Sequence, residues 1–285
     1  MSMTQMNRKG DPRGYWARRL RAFLPGFLEA HPVLSAFHSQ ASTILHGSTT
    51  WGLDDAWSDL DLWLLLPEAD VGALAARFFE FELDGKAGHL NAEPAQPFAE
   101  TMRACHMDTV SQLRRAEPIT DPTGFGAGLI AEARRPMRPE VRDAFFFYHY
   151  VEMRGEQRAG ANPMERHDPF GVLVSLPKTI AHALQAAMAL DGEPYPYDKW
   201  LYAAANETPT GRLLVPHVDA IIEHLAGDAL RGTYSREKNP LAVALWDIRN
   251  ALCRAAQAKG KSDPWLTEWW FYMNEARDAI TGVRW

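Results

Sequence analysis

Residues 45–61 read LHGSTTWGLDDAWSDLD, and the apolar run LWLLL follows directly at residues 62–66. Side chains alternate between the two faces of a β-strand, so Asp59 and Asp61 at the head of this run are expected to project from one face, with their backbones about 6–7 Å apart. Two carboxylates held that close repel each other unless a cation lies between them. The stretch therefore predicts a divalent-metal site, and the Gly47-Ser48 turn upstream predicts a place where backbone N–H groups approach phosphate.

The order of these residues resembles the signature of the DNA polymerase β-like nucleotidyltransferase superfamily. That signature is an apolar residue, Gly, then Gly or Ser, a gap, and an Asp-x-Asp or Asp-x-Glu pair. Residues 45–48 and 59–62 fit it, and Gly52 and Ser58 match the fuller form found in small bacterial members. Taken alone, the acids can be a solvated turn and Gly-Ser an ordinary tight turn. Together, and ahead of an apolar strand, they favour the catalytic interpretation.

The resemblance implies a Mg²⁺-dependent enzyme that transfers a nucleoside monophosphate, AMP from ATP in the favoured version, to an acceptor hydroxyl and releases pyrophosphate. It implies that Asp59 and Asp61 hold Mg²⁺, two ions in the expected arrangement, because magnesium prefers oxygen ligands. It also implies that Gly47 and Ser48 bind the phosphates. Ser58 is expected to orient Asp59, since serine readily bonds nearby backbone.

Members of the superfamily usually carry a third carboxylate near the attacking hydroxyl, where it acts as general base or metal ligand. Glu93 is the predicted residue, because it lies in the next strand candidate along the chain. Asp108 and Asp84 are the alternatives, and each of the three acids can instead be an ordinary surface residue.

Lys199 is a candidate for binding the nucleotide phosphates. Residues 196–201, PYDKWL, are similar to a Pro-x-x-Lys-Trp-Leu stretch in the helical part of several antibiotic nucleotidyltransferases. A lysine acts on phosphate as a point charge. The alternative is an exposed lysine at a helix start beside a packing tryptophan.

Composition narrows the class of protein. The chain has 285 residues, 46% of them apolar, and a formal net charge of −6. A mildly acidic chain argues against a nucleic-acid-binding protein, because such proteins usually carry an excess of positive charge. The two cysteines, Cys105 and Cys253, give no disulfide framework and fit a cytoplasmic protein. Neither a signal peptide nor a membrane span is expected. Whether the protein is a monomer or a homodimer is left open.

The pattern along the chain predicts an α+β protein with three parts. These are a helical lead-in at residues 1–34, a mixed-sheet nucleotidyltransferase domain at 35–135 and an all-α helical bundle at 136–285. The lead-in helix is expected to break at Pro25 and Pro32.

Strands and helices are predicted from periodicity and turn residues. In the sheet domain, strands are expected at 41–46, 59–66 and 88–94, and helices from Pro67 to Gly85 and over 105–117. In the bundle, a helix beginning near Met137 is expected to end at a linker, residues 160–163. Further helices are expected over Phe170–Leu190, Gly211–Ala226, Lys238–Ala258 and Leu266–Ile280. The aromatic residues 269–272 are expected to be core.

Three functions remain open at this stage. The layout is similar to aminoglycoside and lincosamide nucleotidyltransferases, which implies a small-molecule acceptor and a role in antibiotic resistance. The first alternative is an antitoxin-like enzyme that AMPylates a partner protein. The second is a nucleotide-binding regulator without turnover. The helical half favours the small-molecule acceptor, because protein-modifying members tend to be single domains.

Overall fold

The computed structural model describes residues 14–225 and 228–285. The chain divides into two compact units, Met1–Arg135 and Pro136–Trp285. The polar start of the chain, residues 1–10, lies outside the described residues, as does Ala226, the predicted end of one helix.

A five-stranded mixed sheet forms the centre of the first unit, in the order β3-β4-β2-β1-β5. β2 is parallel to β4, and the other neighbouring strands are antiparallel. The strands are β1 (Ser42–His46), β2 (Leu60–Leu66), β3 (Phe78–Leu83), β4 (Lys86–Pro94) and β5 (Glu117–Thr120). The mixed sheet with its helices fits the predicted α+β class, and β3 and β5 are additional to the predicted strands.

Helices cover and connect this sheet. Among the described residues of the first unit they are α1 (Tyr15–Ala30), α2 (Ser48–Trp51), α3 (Glu68–Ala73), α4 (Ala95–Arg103), α5 (Met107–Arg115) and α6 (Phe125–Ala133), with a 3₁₀ turn at Leu34–Ala36. β2 is buried over most of its length because both of its faces are covered. Leu62 and Leu64 share a core cluster with the leucines of α1, and Trp63 on the other face meets Phe98 of α4.

α1 packs on the sheet through leucines spaced one helical turn apart. Leu20, Leu24 and Leu28 are at most 2% exposed and share one core cluster with the leucines of β2. The prediction that Pro25 breaks this helix is wrong, because α1 continues through it. Proline removes one intrahelical hydrogen bond, but the leucines on both sides of it remain buried in the core.

Residues 67–85 differ most from the sequence prediction. A single helix is predicted there, whereas the structure has the short α3 followed by β3, whose residues alternate between exposed and buried. Asp84 and Gly85 have φ angles of 54° and 77°, the left-handed pair that a two-residue hairpin turn requires. Arg19 of α1 also binds the Asp84 carboxylate at 2.6 Å. The Asp-Gly pair therefore joins β3 to β4 and does not end a helix.

The second unit is helical, and residues 136–225 and 228–285 contain no strand. Its helices are α7 (Pro139–Glu165), α8 (Pro169–Leu190), α9 (Asp198–Ala205), α10 (Pro209–His224), α11 (Pro240–Ala258), α12 (Trp265–Glu268) and α13 (Met273–Ala279), with 3₁₀ turns at Asp228–Arg231 and Trp269–Phe271. None of the described helices combines the length and apolar character that crossing a bilayer requires.

Two predicted features of this unit are wrong. The expected linker at residues 160–163 is the last part of α7, because Ala161 and Met164 are 3% and 1% exposed and hold the segment in the core. The single helix expected after Leu266 is α12, a 3₁₀ turn and α13. Within that turn Trp269 is 9% exposed, but Trp270 and Phe271 are 53% and 68% exposed and are not core residues.

Two histidines face each other where α7 meets α8. His149 Nδ1 lies 2.9 Å from His182 Nδ1, and His149 Nε2 lies 2.6 Å from the Tyr195 hydroxyl. Burial lowers the pKa of His149 well below its ordinary value, and the neighbouring His182 lowers it further. Burial also lowers the pKa of His182. Both imidazoles are therefore neutral at pH 7, and one of the facing Nδ1 atoms donates its hydrogen to the other.

We predict that acid destabilises the second unit through these histidines. A histidine whose pKa is lowered by folding contributes its full stability above the unfolded pKa of about 6.5, and that stability is lost as the pH falls. The free energy of unfolding should therefore decrease below about pH 6.5, and less steeply in His149→Gln. Urea unfolding at a series of pH values measures both slopes. His224→Gln, which removes an exposed imidazole, is the control, and an unchanged slope in His149→Gln would contradict the assignment.

Candidate active site

The Gly47-Ser48 turn and Asp61 lie at the same end of the sheet. β1 ends at His46, whose strand partner is Asp61, and Gly47 connects β1 to α2 with φ 77° and ψ −159°. A Cβ atom on Gly47 would lie 2.5 Å from Asp61 Oδ2. Glycine is therefore required twice, for the backbone angle and for the space that the carboxylate occupies.

Asp59 lies just before β2 and pairs with a histidine of the neighbouring strand. Its Oδ2 is 2.9 Å from His89 Nε2, and its side chain is 44% exposed. Asp61 is opposite His89 on the β4 side and opposite His46 on the β1 side. The Asp61 carboxylate approaches Gly47, whereas the Asp59 carboxylate, one residue before the start of β2, meets His89. That the two carboxylates project together from one face remains a prediction. The flanking histidines carry no signal in the motif, and only the strand register identifies them.

His46 supports the site in its neutral form. Its ring stacks on Trp63 with 3.7 Å between ring centroids, and its Nδ1 lies 2.9 Å from Gln112 Oε1. Burial lowers the pKa of His46 to about 4, although the bond to Gln112 and the charge of Asp59 act in the opposite direction. The imidazole is therefore uncharged at neutral pH and adds no positive charge beside Asp61.

Ser48 and Thr49 are buried at the start of α2, at 6% exposure each. Their N–H groups are the first two of the helix and have no intrahelical acceptor. α2 ends at Gly52, whose φ is 64°. A four-residue helix bounded by two glycines is thus the local structure of the predicted phosphate-binding turn.

Ser58 contacts a different aspartate from the expected one. Its hydroxyl donates to Asp55 Oδ1 at 2.9 Å, and the same Asp55 oxygen accepts the N–H of Trp57, also at 2.9 Å. These bonds order the loop that leads into β2. Ser58 therefore orders the backbone that leads to Asp59, through bonds of its hydroxyl group with Asp55.

The strand register separates Glu93 from the two aspartates. His89 of β4 is opposite Asp61, whereas Glu93 is opposite Leu65. Four residues along a strand correspond to about 13 Å. At that distance, the general-base role predicted for Glu93 has no support in this arrangement. The distance depends on the register of β2 against β4, which the order of the strands along the chain does not give.

The two alternative acids lie in different places. Asp108 is in the first turn of α5, where it accepts the N–H of Thr109. Asp84 is in the hairpin turn and accepts two bonds from Arg19, at 2.6 and 2.7 Å. Of the two, Asp84 lines a cavity that Asp59 also lines.

This cavity, the Asp59 cleft, has a volume of about 620 Å³. It is lined by Trp16, residues 54–59 and residues 84–87. Its ionisable lining residues are Asp54, Asp55, Asp59, Asp84 and a single lysine, Lys86, which lies 3.5 Å from Asp54. The cleft is therefore acidic.

Lys199 belongs to the second unit. It is an exposed residue near the start of α9, and its Nζ lies 4.8 Å from the centre of the Trp200 ring. This placement is the one expected for an exposed lysine at a helix start beside a tryptophan. Its predicted contact with nucleotide phosphates remains a prediction.

The carboxylates of Asp59 and Asp61 suit a magnesium ion whose other ligands come from water and a substrate. Among the described residues, no group of three or more His, Cys, Asp and Glu side chains has the geometry of a metal site. Mg²⁺ is commonly held by one or two carboxylates together with water and substrate phosphates. Two hard oxygen donors beside a turn whose glycine leaves room for the carboxylate fit that mode of binding.

Comparisons with known proteins add little. No protein-family model matches the chain, and no curated protein matches it. A solved structure with some similarity is a nucleotidyltransferase-like protein from Exiguobacterium sibiricum 255-15. It is 12% identical, the match covers 92% of this chain and 81% of the other, and the TM-score is 0.47.

We predict that Gly47→Ala destabilises the first unit more than Gly52→Ala. Both substitutions place a side chain at positive φ, but only the Cβ at position 47 meets another atom, Asp61 Oδ2. The excess should be about 1–3 kcal/mol in urea unfolding. The double variant Gly47→Ala/Asp61→Ser should recover the part of this excess that comes from the Asp61 oxygen, whereas the part that comes from the backbone angles of Gly47 should remain. No recovery in the double variant, measured against Asp61→Ser alone, would disprove the close contact.

Proposed function

We propose that the protein is a Mg²⁺-dependent nucleotidyltransferase that transfers AMP from ATP to a hydroxyl of a small cationic molecule, such as an aminoglycoside. The observation that carries this proposal is the approach of the Asp61 carboxylate to Gly47. It joins the two halves of the sequence motif, the Gly-Ser turn and the paired aspartates, at one end of the sheet. The resemblance supplies the chemistry, and this geometry supports it.

Asp59 and Asp61 would hold the metal, and the turn at Gly47 and Ser48 would bind the triphosphate. The bound ion would offset the negative charge of the phosphates and of the transition state. Because His89 bonds Asp59 at 2.9 Å, the first carboxylate is held in position before any ion arrives. Lys199 is a proposed second contact to the phosphates, as a point charge.

The proposed reaction is a single displacement at the α-phosphorus of ATP. The acceptor hydroxyl oxygen forms the new P–O bond, the bond to the bridging oxygen of the β-phosphate breaks, and pyrophosphate leaves with the electron pair. The hydroxyl proton passes to a base. We place that base among the carboxylates of the Asp59 cleft, since Glu93 lies about 13 Å away along the sheet.

The charge of the Asp59 cleft supports a cationic acceptor. Of the four aspartates that line it, Asp84 is paired with Arg19 and Asp54 with Lys86, so Asp55 and Asp59 carry the remaining negative charge. Cationic ligands are attracted into a cleft of that sign. An aminoglycoside carries several amines and many hydroxyls, so it suits both the cleft and the reaction. A role in antibiotic resistance follows only if such an acceptor is used.

The activity test uses ATP labelled on its α-phosphate, Mg²⁺ and a panel of aminoglycosides, lincosamides and candidate proteins. We expect an aminoglycoside to gain the mass of AMP and an equal amount of pyrophosphate to appear. Asp61→Asn should lower the rate on the order of a hundredfold or more, because the metal loses a charged ligand. Glu29→Gln, which removes an exposed carboxylate of α1, is the control.

Three results of this experiment would change the proposal. Equal rates in wild type and Asp61→Asn would overturn the metal assignment. Label on a protein and on no small molecule would make the enzyme an AMPylator of proteins. A hundredfold loss in Glu93→Gln, the size expected for a general base, would return that role to Glu93.

A further inference from the structure

The second unit contains a cavity of about 370 Å³ that the proposed reaction does not use. It lies among α7, α11, the segment before α11 and the 3₁₀ turn Trp269–Phe271. Its lining is Arg154, Gln157, Arg158, Ala161, Tyr234, Arg236, Trp246, Trp269 and Trp270. We call it the arginine–tryptophan pocket. Its lining includes three arginines and no acidic residue.

Trp246 is surrounded by guanidinium groups. The Cζ atom of Arg236 lies 3.7 Å from the centre of the Trp246 ring, and those of Arg154 and Arg249 lie 4.9 and 5.6 Å from it. Ion pairs found among the described residues include none of Arg154, Arg158, Arg236 and Arg249. The guanidinium groups of Arg154, Arg236 and Arg249 therefore meet the Trp246 ring and no carboxylate of the described residues.

Several buried hydrogen-bond donors of the pocket lining have no acceptor among the described residues. The Gln157 side chain is 4% exposed, and its Oε1 accepts a bond from Arg154 at 3.1 Å. Its Nε2 has no partner among the described residues, and neither do Nε of Arg154 and Nε1 of Trp246, which belong to the same lining. All three atoms are donors. Leaving a buried donor without an acceptor is unfavourable, so an acceptor that reached these atoms would be favoured.

The surroundings of Arg154 disfavour its positive charge. Burial lowers the pKa of Arg154, and the like charge of Arg249 acts in the same direction. An anion in the cavity would offset both effects, and the planar guanidinium group can bind a carboxylate or a phosphate through two parallel hydrogen bonds.

The remaining walls are flat and aromatic. Trp269 and Trp270 meet edge to face with 6.0 Å between ring centroids. Trp270 is 53% exposed, so one face of an indole remains available to a ligand. Aromatic rings prefer offset-stacked or edge-to-face contact, and a planar ligand body would have such contacts beside the arginines.

We propose that the arginine–tryptophan pocket binds a small organic anion that carries a phosphate or carboxylate group on a planar ring. The donors of Arg154, Gln157 and Arg158 would bind the anionic group, and Trp270 would contact the ring. The cavity falls within the range of small-molecule sites, about 300–1,000 Å³. This ligand is distinct from the cationic acceptor of the proposed reaction, which three arginines would repel.

The test is isothermal titration of the full chain with three probes of one shape: 1-naphthyl phosphate, 1-naphthoate and the neutral 1-naphthalenemethanol. EDTA in the buffer keeps a metal-dependent site out of the measurement. We expect the anions to bind at least about tenfold more tightly than the alcohol, because charge-assisted hydrogen bonds are stronger than neutral ones. If one of the two anions binds and the other does not, the proposal stands with that head group.

Variants place the ligand in the pocket. Arg158 and Arg236 are exposed residues, so Arg158→Gln/Arg236→Gln should fold and should weaken anion binding on the order of tenfold or more. Arg254→Gln removes another exposed charge from α11 and should bind as wild type does. Asp61→Asn should also bind normally, which separates this site from the proposed nucleotide site. Equal binding of the neutral alcohol, or no difference between the double variant and Arg254→Gln, would overturn the proposal.

Discussion

The contact between the Asp61 carboxylate and Gly47 is the constraint on which the site in the first unit depends. Asp61 Oδ2 occupies the space where any other residue at position 47 would have its Cβ. The pairing of β1 with β2 fixes this contact, because His46 is opposite Asp61. The buried leucines of β2 and of α1 in turn hold the two strands in that register. A site for charged groups is thus positioned by an apolar core.

The histidines beside Asp61 extend this arrangement. His46 is buried and its pKa is lowered to about 4, so its imidazole is a neutral group beside Asp61. His89 bonds Asp59 at 2.9 Å and lies opposite Asp61 in β4.

The acidic Asp59 cleft and the arginine–tryptophan pocket carry opposite charges. The two cavities therefore suit different ligands, a cation in the first unit and an anion in the second.

Much of the site could be predicted from sequence, because its residues are close along the chain. The turn at Gly47 and the strand that begins after Asp59 follow from local spacing. The third acid could not be found that way, since the distance between Glu93 and Asp61 depends on the register of β2 against β4. A one-residue change in register alters every such neighbour.

Helix and strand assignments failed where two patterns overlapped. Residues 78–83 alternate exposed and buried as β3, but their aromatic residues also fit a helical spacing, and Asp84-Gly85 can signal a helix end as well as a hairpin. Pro25 and Pro163 fail as breaks because buried neighbours hold the helix on both sides of each. The residues of the arginine–tryptophan pocket lie far apart along the chain, so no local motif predicts it.

The most direct test of the metal site is a Mn²⁺ titration followed by electron paramagnetic resonance, in the presence of a non-hydrolysable ATP analogue. Mn²⁺ takes the oxygen ligands that Mg²⁺ does and can be counted free in solution. Wild type should bind the ion with its nucleotide, and Asp61→Asn should weaken that binding on the order of tenfold or more, as expected when a carboxylate ligand is lost. The same affinity in wild type and Asp61→Asn would contradict the account.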